Sequence, residues 1–280
     1  IGNIYRHMGK YQQAVVYYER AIQISEEIGD KRNVTANLSA LGIVYRNLGQ
    51  TDKAISCQKQ VLKNSREMGN KQSEGIALGN LGQIYLETKN QEEGLSLLKE
   101  CVEILGPTKR CHFLGSLAHG CYIGGYLDDA VMYYKQAIEG SRKVGSKYNE
   151  GIQLGNLGDL YFTMGHWKEA EEHLVLACEI CRSVLPPAAG SFSGSLAWLY
   201  AQQDKFDQAM TLLTEGEPLV EVYPEEHGKF LCKKAKILHR MEQSDLAKEA
   251  FDQAKVIAKD INSAEQSEFY KLITETEQML

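Results

Sequence analysis

The chain repeats itself, and no other feature restricts its fold as tightly. Leu41-Gly42-Ile43-Val44-Tyr45 recurs as Leu81-Gly82-Gln83-Ile84-Tyr85 and as Leu157-Gly158-Asp159-Leu160-Tyr161, with a shorter version, Ile1-Gly2-Asn3-Ile4-Tyr5, at the start. With the tyrosine as anchor, the copies fall at Tyr5, Tyr45, Tyr85, Cys121, Tyr161, Tyr200 and Leu238, at spacings of 40, 40, 36, 40, 39 and 38 residues. Nine residues after each anchor stands a small residue: Ala14, Ala54, Gly94, Ala130, Ala170, Ala209 and Ala247. Seven further on come Ala21, Val61, Cys101, Ala137, Ala177, Gly216 and Ala254. A turn residue four after the anchor, as Gly9, Gly49, Gly125, Gly165 and Asp204, completes the pattern. A period of this size points to stacked supersecondary units in place of one or two globular domains.

Each unit reads as a helical hairpin. Leu-Gly-x-x-Tyr closes a first helix, where glycine admits a close neighbour and tyrosine fills the space beside it. The glycine four residues on is a helix C-cap. A second helix follows, as in Thr51 to Met68, with Ala54, Ile55, Gln58, Val61, Leu62 and Ser65 on one stripe. One hairpin cannot bury that stripe alone, so neighbours must stack.

These residues resemble the tetratricopeptide repeat family over essentially the whole chain. The Asn-Leu-Gly-x-x-Tyr wording, Tyr5-Arg6-His7-Met8-Gly9 and Ile28-Gly29-Asp30-Lys31 are most similar to its Partner-of-Inscuteable (LGN-like) branch. The expected fold is all-α: a right-handed superhelical α-solenoid of about seven hairpins. Their expected ranges are 1–30, 31–70, 71–106, 107–146, 147–185, 186–224 and 225–262. Residues 263–280, with Phe269, Leu272, Ile273 and Met279 on one face, then form a capping helix. The first unit starts four residues before its tyrosine, so the expectation is a fragment of a longer protein truncated at its N-terminus. The pattern frays where Cys121 replaces tyrosine, and Gly190, Gly194 and nearby serines predict a weak helix after Pro186-Pro187.

Chemistry leaves little trace. There is no Walker A sequence, Gly-x-Ser-x-Gly elbow or His-Glu-x-x-His, and the glycines at 75, 79, 82 and 151, 155, 158 follow no strand. Cys178-x-x-Cys181 has metal-site spacing but no second pair, so buried thiols are the expectation. We therefore expect no enzyme activity, cofactor or metal. A net charge of −6 argues against nucleic-acid binding, and the longest uncharged run contains Pro186-Pro187, which argues against membrane insertion. Seven unevenly spaced cysteines suit a reducing compartment, hence the cytoplasm.

In the family this chain resembles, the first helices line a concave groove that binds extended or helical peptides. Positions about −9, −5, −2 and +1 from the anchor share that face. They give Asn3, Arg6, Arg46, Asn80, Gln83, His119, Tyr122, Asn156, Asp159, Phe162, Trp198, Lys229, Lys233 and Lys236, with Arg240 beside them and His112 seven residues before His119. Asparagine amides both donate and accept, and the resemblance implies that Asn80 and Asn156 grip a peptide backbone; bonding to a neighbouring helix is the alternative. Trp198 and Phe162 either pocket an apolar side chain or pack between repeats. The basic face Lys229, Lys233, Lys236 and Arg240 either attracts an acidic segment or is merely solvated. Gly155, Asp159 and Ser195 occupy positions that a chaperone-type carboxylate clamp needs for other residues. The function expected is thus a protein-interaction scaffold with a protein or peptide partner, acidic segments included. The alternative is a sensor module controlling another domain of the same protein.

Overall fold

The computed structural model describes residues 1–88, 90–261 and 267–280, with His7 and Glu268 described by their backbone alone. The described residues form fifteen α-helices in consecutive pairs and no strand. The pairs are α1 (Gly2–His7) with α2 (Tyr11–Glu27), α3 (Lys31–Asn47) with α4 (Thr51–Glu67), and α5 (Lys71–Glu87) with α6 (Gln91–Ile104). Next come α7 (Pro107–Ile123) with α8 (Leu127–Lys143), α9 (Lys147–Thr163) with α10 (Trp167–Val184), and α11 (Pro186–Gln202) with α12 (Phe206–Val220). The series ends with α13 (Pro224–Arg240), α14 (Ser244–Asp260) and a single helix, α15 (Glu268–Met279). Two compact units divide the chain, residues 1–140 and 141–280.

The hairpin turns have one recurring construction. The anchor carbonyls of Tyr5, Tyr45, Tyr85, Cys121, Tyr161, Tyr200 and Leu238 each accept a hydrogen bond from the backbone N–H five residues on. That is the six-to-one bond of a Schellman turn, and it requires a left-handed residue just inside it. Gly9, Gly49, Gly125 and Gly165 supply it at φ of 69 to 78°. Asp204 and Glu242 adopt the same conformation at φ 57° and 60° without glycine's freedom.

Packing explains the small positions. Ala14, Ala54, Gly94, Ala130, Ala170, Ala209 and Ala247 are all buried, so each second helix lies tight against its neighbours. At Gly82 an added Cβ would stand 2.7 Å from Leu98 Cγ and 2.9 Å from the Gly94 carbonyl oxygen, so any side chain there forces the two helices apart. The glycine-rich α11 corrects the expectation of a weak helix, because it is regular over 17 residues. A Cβ at Gly190 would lie 2.7 Å from the Gly216 oxygen and from Val220, so its propensity cost is offset by close packing on α12.

Beyond residue 261 the expected capping segment falls partly on residues 262–266, outside the described residues. From Glu268 on, α15 seats Phe269 and Ile273 in a buried cluster with Leu231, Cys232, Ala235 and Phe251.

Candidate interaction surface on the first helices

Two buried carboxylates tie successive hairpins together and thereby set the first helices in place. Glu74, at the start of α5, accepts from Lys71 Nζ at 2.8 Å and from Arg66 Nε, on α4, at 2.9 Å. Glu150, at the start of α9, accepts from Lys147 and Arg142 at 2.7 Å each. Hydrogen bonds from Lys71 and then Arg66 hold the Glu74 carboxyl below its ordinary value. At Glu150 desolvation acts upward, but Arg142 and Lys147 outweigh it.

In the first unit, α3, α5 and α7 stand side by side, joined by a polar ladder. Arg46 Nη1 donates to Gln83 Oε1 at 2.8 Å, and Gln83 Nε2 donates to Ser116 Oγ at 2.7 Å. Arg46 also grips Glu87, with Nη2 2.7 Å from Oε1. His112 reaches solvent but is hemmed in by protein: desolvation, then the cations Lys109 and Arg46, push its pKa below the ordinary histidine value. His119 is exposed, its ring 6.3 Å from that of half-buried Tyr122. Asn3 is exposed and accepts from the Tyr18 hydroxyl, and Arg6 is half-buried.

The two asparagines are not equivalent. Asn80 is buried and donates to Gln58 Oε1 at 3.4 Å, so it bonds to another helix. Asn156 is half-buried and has no side-chain hydrogen bond among the described residues. The difference comes from the second helix of the hairpin before α5, where the fully buried Gln58 offers a partner.

In the second unit, α9, α11 and α13 continue the pattern. Asn156, Asp159 and Phe162 are half-buried on α9, as is Trp198 on α11, where it packs against the core around Ala197, Leu213 and Phe230. Lys233 Nζ donates to Ser195 Oγ at 2.7 Å, and Ser191 Oγ donates to Glu226 at 2.7 Å. The expected basic stripe needs correcting here. Lys229 pairs with Glu225 and Glu226 at 3.2 Å, Lys236 with Glu275 at 3.3 Å, and Arg240 with Asp204 at 2.9 Å. Three of its four charges thus have a carboxylate within the chain, and for Arg240 and Lys236 sequence patterning missed it because Asp204 and Glu275 lie 36 and 39 residues away.

Nothing on these faces gathers ligands for a metal, and no group of three or more His, Cys, Asp or Glu residues among those described could hold one. Cys178 and Cys181 are buried; burial raises both thiols, Cys181 to about 11. His173, the nearest histidine in sequence, lies tilted against Tyr161 with ring centroids 5.3 Å apart. No described helix is long and apolar enough to cross a membrane. A surface depression is lined by Gly9, Lys10, Tyr11, Gln12, Gln13 and Leu48, at the hairpin turns.

Comparison with known families decides the identity of this repeat. Tetratricopeptide repeat models match residues 1–67, 35–105, 111–183 and 228–260, well over half of the chain. The chain belongs to the tetratricopeptide repeat family. Such repeats are typically scaffolds for protein–protein interaction, and the matches name no finer branch of the family.

Solved structures agree on the tetratricopeptide fold. A Rap protein complexed with Competence and Sporulation Factor superposes with a TM-score of 0.66 at 16% identity, covering 95% of this chain and 80% of that one. A tetratricopeptide repeat protein from Parabacteroides merdae gives 0.64 at 15% identity, covering 99% and 96%. A kinesin light chain repeat protein from Podosopora anserina gives 0.55 at 20% identity, covering 66% and 93%. Identities this low speak for the fold alone. No curated protein matches the chain.

Proposed function

We propose that this chain is a non-enzymatic scaffold that holds an extended or helical segment of a partner protein against its first helices. The observation that carries the reading is the division of labour on those helices. One side of each is buried in repeat packing, while the other carries half-buried polar groups: Gln83 and Ser116, bonded across helices, and Asn156. Amides and hydroxyls on such faces suit a peptide backbone, which offers a donor and an acceptor at each residue. The Rap protein of similar fold was solved in complex with Competence and Sporulation Factor, which supports a ligand-holding role for such an array. Likeness to the Partner-of-Inscuteable branch rests on the wording of residues 80–85 and 156–161, with 5–9 and 28–31. The seven thiols, all buried and none in a disulfide, suit the cytoplasm.

The test is selection from a displayed library of random 16-residue peptides, followed by titration of the selected peptides. Gln83→Ala combined with Asn156→Ala should weaken binding about tenfold, equivalent to about 1.4 kcal/mol, and leave the helical circular dichroism signal intact. Selected peptides that bind the double variant as tightly as the parent chain, or a library that gives no binder at all, would sink this reading.

A further inference from the structure

Lys233 differs from every other cation on its stripe. Lys229, Lys236 and Arg240 each sit within 3.3 Å of a carboxylate. Lys233 has none among the described residues, and its ammonium donates instead to the Ser195 hydroxyl at 2.7 Å. A hydroxyl accepts a hydrogen bond but cancels no charge. One half-buried positive charge therefore has no carboxylate in direct contact among the described residues, whereas the cations beside it do.

The fold holds that charge in place. A Cβ built on Gly194 would stand 3.0 Å from the Phe230 ring and 3.4 Å from Lys233 Cδ, so the bare glycine lets the lysine stem lie close against α11. Ser195 spends an oxygen lone pair on Lys233 and keeps its own proton to donate. The ammonium and the hydroxyl, 2.7 Å apart, are thus neighbouring donors. Trp198 lies one turn further along α11, part of its ring in the core and part at the surface. Glu225 and Glu226, two turns back along α13, and Glu275 of α15 place negative charge on either side of Lys233.

We propose that Lys233 and Ser195 form a carboxylate-reading position that recognises one Asp or Glu side chain of the bound segment, with a large apolar side chain of that segment resting on Trp198. This rests on the scaffold reading above and adds a sequence preference to it. Charge complementarity selects the occupant. Among the described residues Lys233 is the one cation of the stripe with no carboxylate in contact, so it calls for one, while Glu225 and Glu226, two against the single Lys229, repel a run of them. A side-chain carboxylate is assigned over a chain terminus because the donors number only one ammonium and one hydroxyl.

The experiment is an array of random 12-residue peptides tethered through their C-termini, so that only side-chain carboxylates are offered. It is probed with the 280-residue chain and its variants, all checked for an unchanged thermal midpoint. The parent chain should favour peptides with a single acidic residue near an aromatic or aliphatic one. Lys233→Gln should bind those peptides about tenfold more weakly, and Lys233→Glu should shift the preference to Lys or Arg at the same position. Lys236→Gln, whose charge is already paired, should keep the acidic preference. Peptides that bind without acidic preference, or an acidic preference untouched by Lys233→Gln, overturn this proposal and leave the scaffold reading standing. An array on which nothing binds overturns both.

Discussion

Arg142 donates to Glu150 at 2.7 Å, and that carboxylate, at 4% exposure, is almost cut off from water. Arg66 and Glu74 repeat the arrangement at 2.9 Å in the first unit. A buried carboxylate is tolerable only when paired and hydrogen-bonded. Arg142 and Lys147 meet that requirement from opposite sides of the turn between α8 and α9, so the pairing fixes where one hairpin ends and the next begins.

The pairing predicts a specific acid sensitivity. The folded pKa values of Glu74 and Glu150 lie below the ordinary value of 4.5. Their contribution to stability is therefore complete above that value and is lost as pH falls through the lowered folded pKa. Glu150→Gln should cost about 1–2 kcal/mol at pH 7, and the gap to the parent chain should close as pH falls well below 4.5. Urea unfolding at a series of pH values measures this; a gap independent of pH would show that the charge contributes nothing.

Asn80 and Asn156 should separate cleanly under mutation. Asn80→Ala removes a partner from the fully buried Gln58 and should destabilise the chain by about 1 kcal/mol. Asn156→Ala removes no side-chain hydrogen bond among the described residues and should leave the unfolding midpoint unchanged while weakening peptide binding. Thermal unfolding monitored at 222 nm gives the first answer and peptide titration the second. Equal loss of stability in both variants would refute the distinction.

This pair also shows how far the sequence could be read. The hairpin was legible because its defining features are local. A left-handed residue four after the anchor and a small residue nine after it are visible in the letters, and both recur at nearly constant register. What hid was everything decided between repeats. Whether an asparagine is free depends on residue 58 of the preceding hairpin, and whether Lys236 is free depends on Glu275 of α15. Gly190 and Gly194 were misread for the same reason: helix propensity counts against glycine, but contact with Gly216 and Phe230, from other helices, explains its presence.

Gly155 offers a test of that argument in which two effects compete. Alanine in mid-helix should gain about 1 kcal/mol from propensity. Its Cβ, however, would intrude on the ring of Phe192, which is buried on α11; Gly79 and Phe113 stand in the same relation in the first unit. Overpacking of this kind costs about 1–3 kcal/mol, so Gly155→Ala should be destabilising on balance. Adding Phe192→Leu should recover part of the loss, a coupling that a double-mutant cycle in urea detects. If Gly155→Ala alone stabilises the chain, propensity outweighs packing at this helix contact.

Cys232 reports whether α15 is docked. Burial pushes its thiol up to about 11, and among the groups around it is Thr276 of α15. Phe269 and Ile273 belong to the same buried cluster as Cys232, so α15 shields this thiol. Iodoacetamide reacts with the thiolate, which is scarce at neutral pH when the pKa is raised and unreachable when the sulfur is covered. The folded parent chain should thus resist alkylation at all seven cysteines, each of which is buried. Phe269→Ala with Ile273→Ala should undock α15 and expose Cys232 ahead of the other six, as mapped by peptide mass spectrometry after a timed pulse. Labelling that spreads at the same rate to Cys101, which lies in the other unit and whose burial raises it to about 12, would instead mean that α15 supports the stability of the whole chain.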